Sequence, residues 1–271
     1  MTKKLNNAKA VKFMNYNYHT HTYRCRHANG AVEEYIKRAI EGGITHMGFS
    51  DHIPFKFPDG YESGYRVKID KAQDYFDTLS QLREKYKDQI EIKIGFEMEY
   101  YPKYFDQMLQ NAIDFGAEYL ILGQHFIGNE RPGGAYVIGV PSTPENIKDY
   151  TNCTLEAMAS GVFSYVAHPD VFLYKGARLL YEEEMRKICI ASRIYDIPLE
   201  INFLGIRDGR HYPTQEFWKI AGEELSPVTF GFDAHDAKSA YDGESIPYAK
   251  ELVKKYNLNY IGKPAIVDIR R

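Results

Sequence analysis

The stretch Val162-Phe-Ser-Tyr-Val-Ala-His168 is an apolar run of strand length that ends in a histidine, with Pro169 next. A short apolar run closed by a turn residue reads as a strand buried on both faces, the pattern of a parallel sheet. A histidine directly after such a run is badly placed for a solvated role. The same design repeats along the chain. Candidate strands are Phe13–His19, Met47–Asp51, Ile90–Glu97, Tyr119–His125, Val162–His168, Leu199–Asn202 and Val228–Asp233. In chain order they deliver His19 and His21, Asp51 and His52, Glu97, His125, His168, Glu200, and Asp233 with His235. Every candidate strand therefore finishes in a metal-ligating or acid–base side chain.

Amphipathic runs lie between these strands. Val32, Tyr35, Ile36, Ala39 and Ile40 have helical spacing, and Gly42-Gly43 ends that run. Ser142-Thr-Pro-Glu145 reads as an N-cap with proline in the first turn of a helix reaching about Ser160. Further helices are expected near 69–87, 102–115, 180–195, 214–224 and 245–256. Alternating strands and helices build a parallel sheet. The carboxyl ends of its strands converge on one face, and that face carries the site. An open sheet would spread seven strand ends over too wide a front for one compact site. The expectation is a single α/β domain over residues 1–271, a distorted seven-stranded (β/α)7 TIM-like barrel.

Composition narrows the function classes. The 271 residues are 44% hydrophobic and 26% charged, ordinary values for a globular protein with a sizeable core. A net charge of −3 and the lack of a basic track argue against a nucleic-acid partner. No apolar run approaches a membrane span, and the basic start MTKK leads into no signal-peptide core. The three cysteines, Cys25, Cys153 and Cys189, are odd in number and scattered, which suits a reducing cytoplasm. Nothing in the composition specifies an oligomeric state.

Two histidines at i and i+2 on an extended segment face the same way, so His19 and His21 can grip one ion. Imidazole suits zinc, iron or manganese, and carboxylates such as Glu97 add oxygen ligands able to bridge two ions. An isolated pair would mean little, but seven of the nine histidines fall at or just after strand ends. Other residues keep two readings. Asp51 is a catalytic acid or an orienter of a ligand, and Glu99 competes with Glu97. Cys25 is a buried thiol or a ligand, and Asp170 orients a ligand or caps a turn. His46 precedes a strand and reads as structural, while His211 reads as a solvated loop residue.

The motifs HTHTYRCRH (19–27), SDH (50–52), GFE (95–97), GQH (123–125), AHPD (167–170) and FDAH (232–235) resemble the polymerase-and-histidinol-phosphatase (PHP) superfamily. The resemblance covers residues 19–235, and EINFLGIR (200–207) with Tyr212-Pro213 is most like its histidinol-phosphate phosphatase branch. It implies a trinuclear centre of divalent transition-metal ions, zinc, manganese or iron. His19, His21, Glu97 and Asp233 would hold one ion. Glu97 would bridge to a second, held also by His125 and His168, and His27, His52 and His235 would hold the third.

Clustered divalent ions activate a bridging water, neutralise phosphoryl oxygens and orient in-line attack, so no protein nucleophile is required. Indeed no G-x-S-x-G motif is present, and Ala31 stands where a Cys25-x5-Arg cradle needs arginine. A poor alkoxide leaving group needs a proton or a metal; Asp233, His235 and Asp51 are the candidates. Phosphate also calls for positive charge, with Arg207, Arg178, Lys175, Arg210, Arg24 and Arg26 available. The resemblance favours Arg207, and only one or two of the six are expected to touch phosphate.

The leading expectation is an L-histidinol-phosphate phosphatase acting on a small phosphorylated metabolite in histidine biosynthesis. The alternatives are a phosphoesterase for another small metabolite or nucleotide, and, with less support, a non-catalytic metal-binding module. An amidohydrolase reading fails for want of a lysine-carboxylate bridge, since Glu97 fills that position.

Overall fold

All seven expected strands join one parallel sheet in the computed structural model, which describes residues 14–131 and 133–270. Phe13, the first residue of the first expected strand, lies outside the described residues. The chain runs β1 (Tyr16–Asn17), α1 (Val32–Glu41), β2 (His46–His52), α2 (Ala72–Tyr86), β3 (Glu91–Met98), α3 (Phe105–Phe115) and β4 (Tyr119–Leu122). A hairpin of β5 (Phe126–Ile127) and β6 (Ala135–Tyr136) follows. Then come α4 (Pro144–Ala159), β7 (Phe163–Val166), α5 (Arg178–Tyr195), β8 (Leu199–Asn202), the short α6 (Phe203–Arg207), α7 (Gln215–Glu223), β9 (Pro227–Gly231), α8 (Ile246–Lys255) and β10 (Asn259–Tyr260).

Helix positions follow the sequence pattern. On α1 the side chains of Val32, Tyr35, Ile36 and Ala39 are buried, and each such burial stabilises by up to about 3 kcal/mol. Thr143 caps α4 by accepting from the Asn146 N–H at 3.2 Å, with Pro144 in the first turn. A cap of this kind contributes about 1 kcal/mol.

The sheet order is β1-β2-β3-β4-β7-β8-β9-β10, and every pairing is parallel. The sheet curls, consistent with a TIM-like barrel. Its edges meet differently at the two ends. At the carboxyl end Thr20 bridges to Ala234, with the His21 N–H donating to Ala234 O at 2.8 Å. At the amino end β10 pairs with β9, Asn259 opposite Pro227. The count therefore differs from the expected seven by one strand, because the two-residue β10 is too short to leave a periodic signal. The hairpin β5–β6 and the five-residue α6 escaped expectation for the same reason.

Strand ends also differ in a way that matters for the site. β2 and β3 stay in register through His52 and Glu97, which pair with each other. β7 stops at Val166 and β9 at Gly231. His168 and Asp233 lie two residues beyond, with φ of 31° and 47°. A non-glycine residue in that region costs about 1–3 kcal/mol and persists only when its surroundings over-determine it.

Candidate metal centre

The carboxyl end of the sheet gathers all nine expected ligands. Four donor atoms stand at nearly equal spacing. His19 Nε2 is 3.4 Å from both Glu97 Oε2 and Asp233 Oδ1. His21 Nε2 is 3.3 Å from Glu97 Oε2 and 3.4 Å from Asp233 Oδ1. Tetrahedral N/O ligands at about 2.0–2.1 Å from an ion sit about 3.3–3.4 Å apart, so the spacing fits one metal. His19 Nε2 and Asp233 Oδ1 are buried without a hydrogen-bond partner. Leaving such an atom unsatisfied costs about 1–3 kcal/mol, a cost that coordination to a metal would offset.

The other Glu97 oxygen faces two further histidines: Oε1 is 3.0 Å from His168 Nε2 and 3.6 Å from His125 Nε2. One carboxylate thus looks towards two ligand groups, the geometry a bridge requires. His27 and His235 complete the cluster at the cavity mouth. The His27 ring is 4.7 Å from that of His235 and 5.2 Å from that of His52, and His235 stacks on His21 at 4.3 Å. His52 is intermediate, with Nδ1 3.4 Å from Glu97 Oε2 and its ring 5.2 Å from that of His125.

Electrostatics match a ligand site. Burial works against ionising Glu97, yet the imidazoles of His52, His125 and His19 hold it well below the usual carboxylate range. Burial and the neighbouring His21 push His235 down to about 3, which keeps its ring neutral and available as a ligand.

A second layer of residues aims the ligands. Glu200 accepts from His19 Nδ1 at 2.9 Å and from the His168 N–H at 3.2 Å. Asn202 Nδ2 donates to Asp233 Oδ2 at 3.1 Å. Glu99 accepts from His125 Nδ1 at 3.0 Å and from the buried Arg66 at 2.7 Å. Such partners fix the ring orientation and tautomer of a metal-binding histidine. Two glycines make room for the carboxylates: a Cβ at Gly123 would meet Glu97 Oε1 at 1.8 Å, and one at Gly231 would meet Glu200 Oε1 at 1.7 Å. In the sequence Glu200 stands out as a strand end and as part of EINFLGIR, and Glu99 only as a competitor of Glu97. Asn202 stood in that motif without a role, and Arg66 carried no signal, since their roles depend on contacts between distant strands and loops.

Above the cluster lies a cavity of about 680 Å³. Tyr65, Phe126, Tyr136, Leu204 and Tyr212 line its walls with Arg207, Asp208, Arg210 and Asp236. Of the six candidate phosphate-binding groups, Arg207 and Arg210 reach it. Arg178 is exposed and paired with Glu182 at 2.8 Å and Glu216 at 2.6 Å. Lys175 is exposed and does not line the cavity. Both lie in the stretch entering α5, which runs away from the strand ends. Arg24 is taken up by Asp74 and Thr78, and Arg26 donates to Ser63 O. Arg207 itself is held by Asp242 at 2.9 Å and by the carbonyls of Phe232 and Asp233.

Asp51 does not line the cavity. It is buried behind His21, 3.7 Å from Nδ1, and accepts from the Thr22 N–H and hydroxyl. Burial pushes its carboxyl up to about 6 against those interactions. Its orienting reading is therefore preferred over a catalytic one. Cys25 is buried, and burial followed by Asp51 raises its thiol, as a packed neutral side chain requires. Asp170 accepts from the Thr214 N–H at the start of α7, a capping role. His46 and His211 are outside the cluster, the latter donating from Nε2 to Val171 O at 2.8 Å.

A model of the PHP domain matches residues 17–203. The histidinol-phosphatase of Lactococcus lactis subsp. lactis is 24% identical over 262 residues, covering 88% of this chain and 90% of its own. A protein of Deinococcus radiodurans named "Probable histidinol-phosphatase" is 24% identical over 239 residues, covering 80% of this chain and 85% of its own. The crystal structure of the Lactococcus lactis histidinol phosphate phosphatase, complexed with zinc, L-histidinol and phosphate, has a similar fold. Its TM-score is 0.70 at 23% identity, over 95% of this chain and 98% of that one. With more than half its length matched by that model, the chain belongs to the PHP domain family.

Proposed function

We propose that the chain is a metal-dependent phosphatase that hydrolyses L-histidinol phosphate to L-histidinol and phosphate. The observation that carries this reading is the convergence of nine imidazole and carboxylate ligands beneath one cavity. The relative that holds zinc, L-histidinol and phosphate supports the choice of substrate.

His19, His21, Glu97 and Asp233 would hold one ion, and Glu97, His125 and His168 a second. His27 and His235 would hold a third, with His52 leaning between it and Glu97. Three bound divalent ions, zinc, manganese or iron, would supply an activated water and neutralise the phosphoryl oxygens. Arg207 and Arg210 add positive charge at the wall. Asp233 turns Oδ1 to His19 and His21 and keeps Oδ2 on Asn202. His235 Nδ1 lies 3.3 Å from Asp233 Oδ1. Burial works against ionising Asp233, yet the imidazoles of His19 and His235 hold its carboxyl well below the usual carboxylate range. The leaving alkoxide would therefore be eased by a bound ion or by a proton from water, with Asp233 and His235 orienting that water. Tyr65, Phe126 and Tyr212 offer faces for a flat imidazole and keep bulk water from it.

This reading goes with one domain over residues 1–271, a distorted barrel in which seven strands carry the site and β10 seals the amino-end seam. The cysteines are all free and buried, which fits a cytoplasmic protein. The test is a phosphate-release screen over L-histidinol phosphate, nucleotides and sugar phosphates. L-Histidinol phosphate should give the highest kcat/KM. Turnover no faster than that of a generic aryl phosphate would return the chain to the wider class of phosphoesterases.

A further inference from the structure

Two charged side chains on the cavity wall have no part in the ligand cluster. Asp208 and Arg210 both line the cavity, on the turn that follows α6. That turn is anchored by its backbone: the Asp208 N–H donates to Leu204 O and the Arg210 N–H to Gly205 O, both at 2.9 Å. Arg210 Nη2 donates to Asp208 Oδ2 at 3.3 Å, and Nη1 donates to Tyr212 Oη at 3.2 Å. The Asp208 carboxylate has no other hydrogen-bond partner among the described residues. The remaining charges on the wall are committed elsewhere. Arg207 is closed by Asp242, and Asp236 accepts from the Ser239 N–H at 2.8 Å.

We infer that Asp208 receives the ammonium group of a 2-aminoalkyl phosphate while Arg210 turns to its phosphate. The inference rests on the reading of this cavity as a histidinol-phosphate site. In that substrate the phosphate ester and the ammonium sit on neighbouring carbons, so opposite charges lie side by side. A carboxylate and a guanidinium two residues apart present the complementary arrangement. The pair is free to change partners: its side chains are 44% and 40% exposed, and it is held by one long hydrogen bond. Exposed pairs of this kind contribute little on their own, so exchanging them for substrate costs little. Arg210 already leans towards the metal cluster through Tyr212, whose ring lies 6.0 Å from that of His168. A phosphate drawn to the ions would take up the guanidinium and leave Asp208 to the ammonium. A phosphate ester without the amine would forgo that ion pair, which favours the amine-bearing substrate.

The experiment compares L-histidinol phosphate with its deamino analogue, 3-(imidazol-4-yl)propyl phosphate, on the metal-loaded enzyme. The readout is the ratio of the two kcat/KM values. Asp208→Asn should lower that ratio by about tenfold or more, mainly through a higher KM for the amine-bearing substrate. Asp208→Ser should lower it in the same way, and Asp208→Glu should keep most of it. An unchanged ratio in the folded neutral variants overturns the inference alone. A wild-type enzyme that does not hydrolyse L-histidinol phosphate removes the functional reading and this inference together.

Discussion

The two ends of the curled sheet are built on opposite terms. At the amino end polar groups are partnered within the protein. Tyr16 Oη meets Tyr260 Oη at 3.0 Å and accepts from the Thr229 hydroxyl at 3.1 Å and from the Phe230 N–H at 3.3 Å. The Tyr260 ring stacks on that of Phe230 at 4.3 Å. At the carboxyl end, buried atoms of His19, His21, His52, His168 and Asp233 go without a hydrogen-bond partner, and two ligands sit at positive φ. Because one set of strands runs through both ends, the satisfied end holds the frame on which the strained one is mounted. The comparison predicts that substitutions at the carboxyl end change metal binding and turnover, whereas those at the amino end change stability.

Glu97→Ala should have the largest effect. It removes the shared ligand of two groups, and activity should fall by roughly a thousandfold or more as ion occupancy drops. Elemental analysis beside a rate assay checks this, and full occupancy in the variant would contradict the bridging geometry. Gly123→Ala drives a methyl into the Glu97 carboxylate and should cost about a hundredfold in metal affinity. If metal titration of that variant matched wild type, the glycine would have no part in shaping the site.

Glu200→Gln keeps the shape but weakens the acceptor for His19 Nδ1. Metal affinity should fall by about tenfold while the folded structure persists. At the other end, Tyr16→Phe should lower stability by about 1 kcal/mol with kcat unaltered, read from denaturant unfolding and the rate assay. A change in kcat there would blur the division between the ends. Smallest of all, Arg178→Ala should shift stability by no more than about 0.5 kcal/mol and leave turnover as it is, since its ion pairs are exposed.

The same contrast explains what the sequence could convey. The gathering of imidazoles and carboxylates at strand ends was legible because an apolar run fixes where a strand stops, and parallel strands must stop on one face. Val162–His168 is the clearest case: the strand lies where its apolar run predicts, and His168 meets Glu97 just beyond it. The orienting roles of Glu200 and Glu99 were not legible. Glu200 meets His19 across 181 residues of chain, and only the closing of the sheet brings them together. The phosphate-binding expectation for Arg178 and Lys175 failed on similar grounds. Their nearness to His168 in sequence is undone by α5, which carries Arg178 to Glu182 and Glu216. β10 was too short to show, although it completes the amino-end seam.

Nine side chains at one end of the sheet are read here as a single multinuclear metal site. That reading is tested most directly by counting ions per chain in protein saturated with zinc or manganese and then freed of loosely held metal. The wild type should hold three ions per chain, and Glu97→Ala fewer. One ion or none in the wild type would contradict it.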